Sequence, residues 1–193
     1  MLLVTSMLTW AFDARPAKAS GTVYIRADGS IDPPTAPILR NGDVYTLTDN
    51  LMSNSNGILI ERDNMTLDGS DHTLRGSEDA GYAGGTNGTH LIRRTNITII
   101  NLCITNFLTG IMLDESSNCT LLKNVVRDNG YGIWFASSPN NRIIGNLLTH
   151  CGIYFWPSSA DNHIVGNRIE DDYHGINIYF PWKIVSQAIN QHD

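Results

Sequence analysis

Two imidazoles, a thiol and two carboxylates crowd into the last quarter of this 193-residue chain: His150, Cys151, Asp171, Asp172 and His174. Landmarks that recur nearby bring them into register. Counting back from Gly132-Ile, Gly152-Ile and Gly175-Ile aligns Tyr131, Cys151 and His174, with His150 and Tyr173 beside them. Counting forward from Asn124, Asn146 and Asn167 aligns Asp128, His150 and Asp171. If the landmarks stack, the five reactive side chains share one corner, and two chemistries follow. Imidazole and thiolate are donors for soft or borderline ions, so His150, Cys151 and His174 are candidate ligands for copper or another divalent metal. Neighbouring carboxylates drive each other's pKa apart, so Asp171, Asp172 and His174 are candidate acid and base groups.

A second candidate set is aromatic. If Ile133, Ile153 and Ile176 point inward, Trp134, Tyr154 and Asn177 point outward on adjacent strands, with Met112 one strand earlier. Trp156 and Tyr179 follow two positions on and face the same way. Trp134, Tyr154, Trp156 and Tyr179 then form an outer stripe suited to stacking on sugar rings, because aromatic faces supply apolar area beside polar edges. His72, His90 and His163 stand singly and read as turn or edge residues. Cys103 reads as an inward core residue, level with Val126, Leu148 and Ile169. Cys119 reads as an outward or turn position, so a Cys103–Cys119 disulfide is not expected.

These placements require elements that stack, and the chain supplies them as internal repeats. Gly110-Ile-Met-Leu-Asp-Glu-Ser-Ser-Asn-Cys-Thr-Leu-Leu-Lys-Asn124 lines up with Gly132-Ile-Trp-Phe-Ala-Ser-Ser-Pro-Asn-Asn-Arg-Ile-Ile-Gly-Asn146. The same pattern returns from Gly152 to Asn167, and another copy opens at Gly175. Asn101, Asn124, Asn146 and Asn167 stand 23, 22 and 21 residues apart. A period near 22 belongs to a solenoid, in which each coil buries its apolar face only against its neighbours. Short alternating runs such as Ile133-x-Phe135, broken by Ser-Ser, Asn-Asn and Gly-Asn, predict strands joined by tight turns. Asn suits those turns through its tolerance of left-handed backbone and through amide bonds to the Asn one coil away.

The Gly-Ile-x-Phe … Ser-Ser-x-Asn-Asn-x-Ile-x-Gly-Asn unit resembles the right-handed parallel β-helix repeat of the pectin-lyase-like superfamily, and within it the NosD-type β-helix, also described as a carbohydrate-binding and sugar-hydrolysis domain. The stretch from Tyr24 to Asp49 is similar to the N-terminal part of such exported proteins. The resemblance spans residues 21 to about 180. It implies an all-β, right-handed parallel β-helix with coils of about 22 residues and an association with copper. It assigns no ligand residue by residue. Polygalacturonase-like relatives draw on paired Asp, His-Gly and Arg-x-Lys elements; Asp171-Asp172 and His174-Gly175 echo the first two, and no Arg-Ile-Lys follows.

Composition bounds the remaining classes. Charged residues make up 17% of the chain, the net charge is −6 and no Lys/Arg run occurs, which argues against a nucleic-acid partner. Residues 1–19 carry an apolar stretch of signal-peptide length ending in Ala17-Lys18-Ala19, an A-x-A-like cleavage site. A secreted, periplasmic or cell-surface location is therefore expected, and four Asn-x-Ser/Thr sequons (Asn64, Asn87, Asn96, Asn118) are compatible with it. No second apolar segment is long enough to span a membrane in the mature chain. Residues 20–56 are expected to cap the N-terminal end, 57–180 to form the repeats, and 181–193 to be a tail that stops part-way through a coil, as in a piece of a longer β-helix. Residues 76–88, rich in Gly, read as an inserted loop. The function expected from these readings is a binding or structural module for a polysaccharide or cell-envelope component. A polysaccharide hydrolase or lyase and a periplasmic copper-handling accessory protein are the alternatives.

Overall fold

The computed structural model describes residues 19–77, 85–172, 175–179, 185–187 and 190–192. Within them the chain is a β-solenoid of about 6 coils, with successive coils about 22 residues apart and no helix. Each coil contributes a strand to each of three eight-stranded sheets. One sheet includes Cys103–Thr105, Val125–Arg127, Leu147–Thr149 and Arg168–Glu170. The second includes Ile58–Ile60, Asn87–Ile92, Thr109–Asp114, Tyr131–Ala136, Ile153–Phe155 and Ile176–Ile178. The third includes Ile97–Ile100, Thr120–Leu122, Arg142–Ile144 and His163–Val165. Coil-to-coil pairing is parallel and in register throughout these strands. Two antiparallel pairings occur at the N-terminal end, Tyr24 with Asp32 and Leu39 with Thr46. The outermost strands there, Ile31–Asp32 and Ile38–Asn41, run against their neighbours, a device that blunts an open sheet edge.

Alternation within each strand sends every second residue inward. In the second sheet Ile111, Ile133 and Ile153 stack in one column and Leu113, Phe135 and Phe155 in the next, all of them buried. The Phe135 and Phe155 rings lie 4.7 Å apart and nearly parallel. Each such side chain contributes roughly 1.5–3 kcal/mol by leaving water. The Gly-Ile signature has a steric cause: a Cβ on Gly132 would sit 2.7 Å from the carbonyl oxygen of Gly152, and one on Gly152 would sit 2.4 Å from that of Gly175. Only glycine lets the coils approach so closely there.

Side-chain amides and hydroxyls close the corners. Asn146 Oδ1 accepts from the backbone N–H of Asn124 (2.8 Å) and from its side-chain amide (3.0 Å), and Asn167 serves Asn146 in the same way (2.9 Å for both). Parallel columns run from Cys119 through Asn141 to Asn162, and from Ser116 through Ser138 to Ser159. These Asn columns are buried, and their backbone is not left-handed. The positive φ falls one residue earlier, on Lys123, Gly145 and Gly166. Asn101 shares that left-handed position (φ 53°), and its neighbour Leu102 donates to Asn124 Oδ1. The repeat spacing there is therefore 22 rather than 23.

That one-residue slip reverses a face, as any register shift in a strand must. Cys103 pairs with Val125 on the outer side, while Ile104 takes the inward place with Val126, Leu148 and Ile169. Cys119 is likewise corrected: it is fully buried, and its thiol donates to the Ser117 carbonyl at 3.3 Å. All three cysteines are free. The expected leader lies almost entirely in residues 1–18, outside the described residues, as do residues 78–84 of the inserted loop.

Candidate functional site

The corner drawn from the sequence is assembled, but its members face two ways. Asn106, Asp128, His150 and Asp171 stack as one column, each at positive φ, and their N–H groups donate to the next coil: Asn106 to the Asp128 carbonyl (3.2 Å), Asp128 to that of Thr149 (3.1 Å) and His150 to that of Glu170 (3.0 Å). The left-handed backbone throws these side chains outward. His150 Nδ1 donates to Asp128 Oδ1 at 2.8 Å, and its Nε2 stands 3.9 Å from Asp171 Oδ2. The Asp128 hydrogen bond, with the charges of Asp128 and Asp171, holds the exposed imidazole above its ordinary pKa. Arg127 anchors the other carboxylate oxygen of Asp128 at 3.1 Å.

The next residue along the chain belongs to an inward column, in which Phe107, Asn129, Cys151 and Asp172 follow one another. Cys151 is buried; its thiol donates to the Val126 carbonyl at 3.3 Å, and burial pushes its pKa up to about 12. Asp172 accepts the Gly175 N–H at 2.7 Å, closing the turn into the next strand. The structure brings His150 together with Asp171 and separates both from Cys151 and Asp172. His174 lies outside the described residues. Among the described residues no three His, Cys, Asp or Glu side chains converge as a metal cage.

Trp134, Tyr154, Trp156 and Tyr179 do form one face. Trp134 pairs in register with Met112 and with Tyr154, and its ring stacks on Tyr154 at 5.8 Å and 18°. Trp156 lies 5.6 Å from Trp134 and 4.9 Å from Tyr179. Tyr131, which sequence reasoning assigned only to the corner, wedges edge-on between Trp134 (4.5 Å) and Tyr154 (4.9 Å). Tyr154 is thereby buried and its phenol raised to about 12, chiefly by desolvation. The accessible part of the stripe is Trp156 and Tyr179, 40% and 47% exposed, next to Ile178 at 48%.

The same outward row continues toward the N-terminal coils as Met112, His90 and Leu59. His90, read from the sequence as a turn or edge residue, instead occupies mid-strand on this face. Its Nε2 is buried and has no hydrogen-bond partner, and its Nδ1 lies 3.4 Å from the Asn87 amide. Burial outweighs the charge of Asp114 and lowers the ring's pKa. On the adjoining sheet an open groove of about 640 Å³ is lined by Arg75, Thr105, Asn106, Arg127 and Asp128 among others, and Arg127 also meets the Cys103 thiol.

The sequence profile of the family described as periplasmic copper-binding protein (NosD) matches residues 17–179. This chain belongs to the NosD family. No curated protein and no solved structure matches it. The NosD match runs through the aromatic face, the His90 strand and the His150 corner. The family is periplasmic, and among the described residues no helix is long and apolar enough to cross a membrane. The Nδ1–H of His150 donates to Asp128 while Nε2 stands 3.9 Å from Asp171 Oδ2, the carboxylate–histidine arrangement that orients an imidazole.

Proposed function

We propose that this NosD-family solenoid binds copper at the outer corner where His150 stands between Asp128 and Asp171. The observation that carries the reading is the 2.8 Å bond from His150 Nδ1 to Asp128, which fixes the tautomer that a ligand histidine needs. A divalent copper ion there would be a Lewis acid held by an imidazole nitrogen and a carboxylate oxygen, both of which are usual donors for it. His150 supplies the nitrogen, Asp171 the charge, and Asp128 the orientation; Arg127 holds Asp128 in place. Cys151 stays out of this set because its thiol is buried and protonated. His174 is the further ligand that the sequence offers. A site built on exposed side chains, rather than in the filled core, suits an ion taken up and passed on.

The test is titration of the full chain with Cu(II), read by calorimetry and by the nitrogen couplings in its electron paramagnetic resonance spectrum. One equivalent with nitrogen coupling is expected, lost in His150→Ala and weakened about 10–100-fold in Asp128→Asn. Unchanged binding in His150→Ala would overturn the reading.

A second reading rests on a different observation, the exposure of Trp156 and Tyr179 at the open end of the aromatic face. Exposed contiguous apolar surface marks a partner, and these rings suit a polysaccharide or other envelope glycan. Retention of the chain on immobilised polysaccharides, reduced by Trp156→Ala, would support it; no retention on any neutral or acidic glycan would remove it. The hydrolase or lyase alternative draws no support from the carboxylates, since Asp171 and Asp172 point away from one another.

A further inference from the structure

The sheet that carries Cys103–Thr105 and Val125–Arg127 holds a groove that neither the copper corner nor the aromatic face explains. Its volume of about 640 Å³ falls within the roughly 300–1,000 Å³ of small-molecule sites. The floor is one outward row: Met52, Arg75, Thr105 and Arg127 are register partners on successive strands. Thr105 therefore separates two arginines whose backbones stand about 10 Å apart, two strand spacings. Two guanidinium groups in one groove stand out on a chain of net charge −6.

The two arginines differ in what they already hold. Arg127 donates to Asp128 at 3.1 Å and to the Cys103 thiol, which fixes its fork and leaves further N–H groups over. Arg75 is exposed, and among the described residues it makes no ion pair and no hydrogen bond. Asp128 is the one carboxylate of the lining, and its two oxygens are taken by Arg127 and His150. Thr105 Oγ1 donates to Asn106 Oδ1 at 3.2 Å, so the amide nitrogen is the end of Asn106 left for a ligand. No aromatic ring lines the groove, which therefore offers charge and N–H donors rather than a stacking surface. Arg75, Arg127 and Asn106 together suit an anion with three outer oxygens. A phosphate monoester carries three such oxygens and close to two charges at neutral pH, whereas a carboxylate carries two oxygens and one charge. Met52 continues the floor beyond Arg75 and gives the groove an apolar end for the organic part.

We propose that this groove binds a soluble organic phosphate monoester, its phosphate held between Arg75 and Arg127 and its ester group turned toward Met52. The site rests on the row and the groove, and stands whether or not copper binds at His150. No bond is made or broken: the ligand is held by charge-assisted hydrogen bonds, with Arg75 as the guanidinium that has no other partner.

The experiment is calorimetric titration of the full chain at low ionic strength with phenyl phosphate, inorganic phosphate and benzoate. One equivalent of phenyl phosphate is expected, bound more tightly than inorganic phosphate and about tenfold or more tightly than benzoate. Arg75→Gln should weaken phenyl phosphate about tenfold or more, the loss of a charge-assisted hydrogen bond. Arg142→Gln removes the same charge from an exposed position on the third sheet and should keep wild-type affinity. Both arginines are exposed, so unchanged melting checks that each variant folds. Wild-type affinity in Arg75→Gln, or equal weakening in the two variants, would overturn the site. Benzoate bound as tightly as phenyl phosphate would overturn the choice of phosphate. Binding to phosphatidic acid vesicles with none to free phenyl phosphate would overturn the soluble ligand in favour of a lipid headgroup.

Discussion

His90 and His150 lie on the outer surface of one solenoid, two coils apart, and their surroundings push them in opposite directions. His150 stands in a corner, on left-handed backbone that throws it into water between two carboxylates. Its charged form is favoured and its pKa rises. His90 stands mid-strand and half-buried, where Nδ1 meets the Asn87 amide and Nε2 finds no partner. Its neutral form is favoured and its pKa falls. The same side chain therefore becomes two different groups: one charged between carboxylates, one neutral in a half-covered row. Place in the coil decides which, because corners expose side chains singly whereas strand faces align them in covered rows.

The comparison depends on coil spacing, and the largest expected effect comes from breaking it. Asn146→Ala removes the acceptor for two Asn124 donors and leaves the Leu121 carbonyl without its 2.9 Å bond. The loss is expected to be roughly 3 kcal/mol or more, since each orphaned buried group costs about 1–3 kcal/mol. Denaturant unfolding measures it. Copper affinity at the corner, whose coils flank Asn146, should fall in the same variant.

Acidification should separate the two histidines next. A protonated imidazole cannot bind a metal, so Cu(II) binding at the corner is expected to fade as pH falls through the raised His150 value. Titrations at stepped pH check this, and binding that persists well below the ordinary histidine range would break it. Stability follows the same signs. The His150 contact with Asp128 contributes fully below the ordinary histidine pKa and is lost as pH rises through the raised value. The half-buried neutral His90 contributes above its ordinary pKa, and that contribution is lost as pH falls toward the lowered value. Asp128→Asn should bring His150 down toward its ordinary pKa and leave His90 unmoved, as followed by imidazole proton resonances.

The smallest effect sharpens the contrast between covered and uncovered parts of the aromatic face. Trp156→Ala is expected to change stability by about 1 kcal/mol or less, because Trp156 is partly exposed already. Tyr154→Ala, which opens a packed cluster, should cost about 3 kcal/mol or more. Thermal melting of the pair gives the difference.

Much of this was legible in the chain. The period near 22, the Gly-Ile column and the inward Ile-x-Phe alternation placed Trp134 beside Tyr154 and His150 beside Asp171. What escaped was a matter of one residue or one covering side chain. Asn101 looks like a ladder asparagine but occupies the left-handed place before the ladder, because an αL position tolerates Asn better than most side chains. Aligning it with Asn124 turned Cys103 inward by mistake. Asp171 and Asp172 are adjacent in sequence and were joined as a pair; a left-handed residue followed by an inward one sends their carboxylates apart. His90 was set aside because it precedes the clearest repeats, and the signal that finds it is its place in the row Leu59, His90, Met112, Trp134. Sequence shows the donors; only register and burial show that one nitrogen lacks a partner.

The most direct test of the account is the copper-edge X-ray absorption spectrum of the full chain carrying one equivalent of Cu(II). The account predicts nitrogen and oxygen scatterers only, with the nitrogen shell lost in His150→Ala. A sulfur scatterer, or copper that washes off, would contradict it.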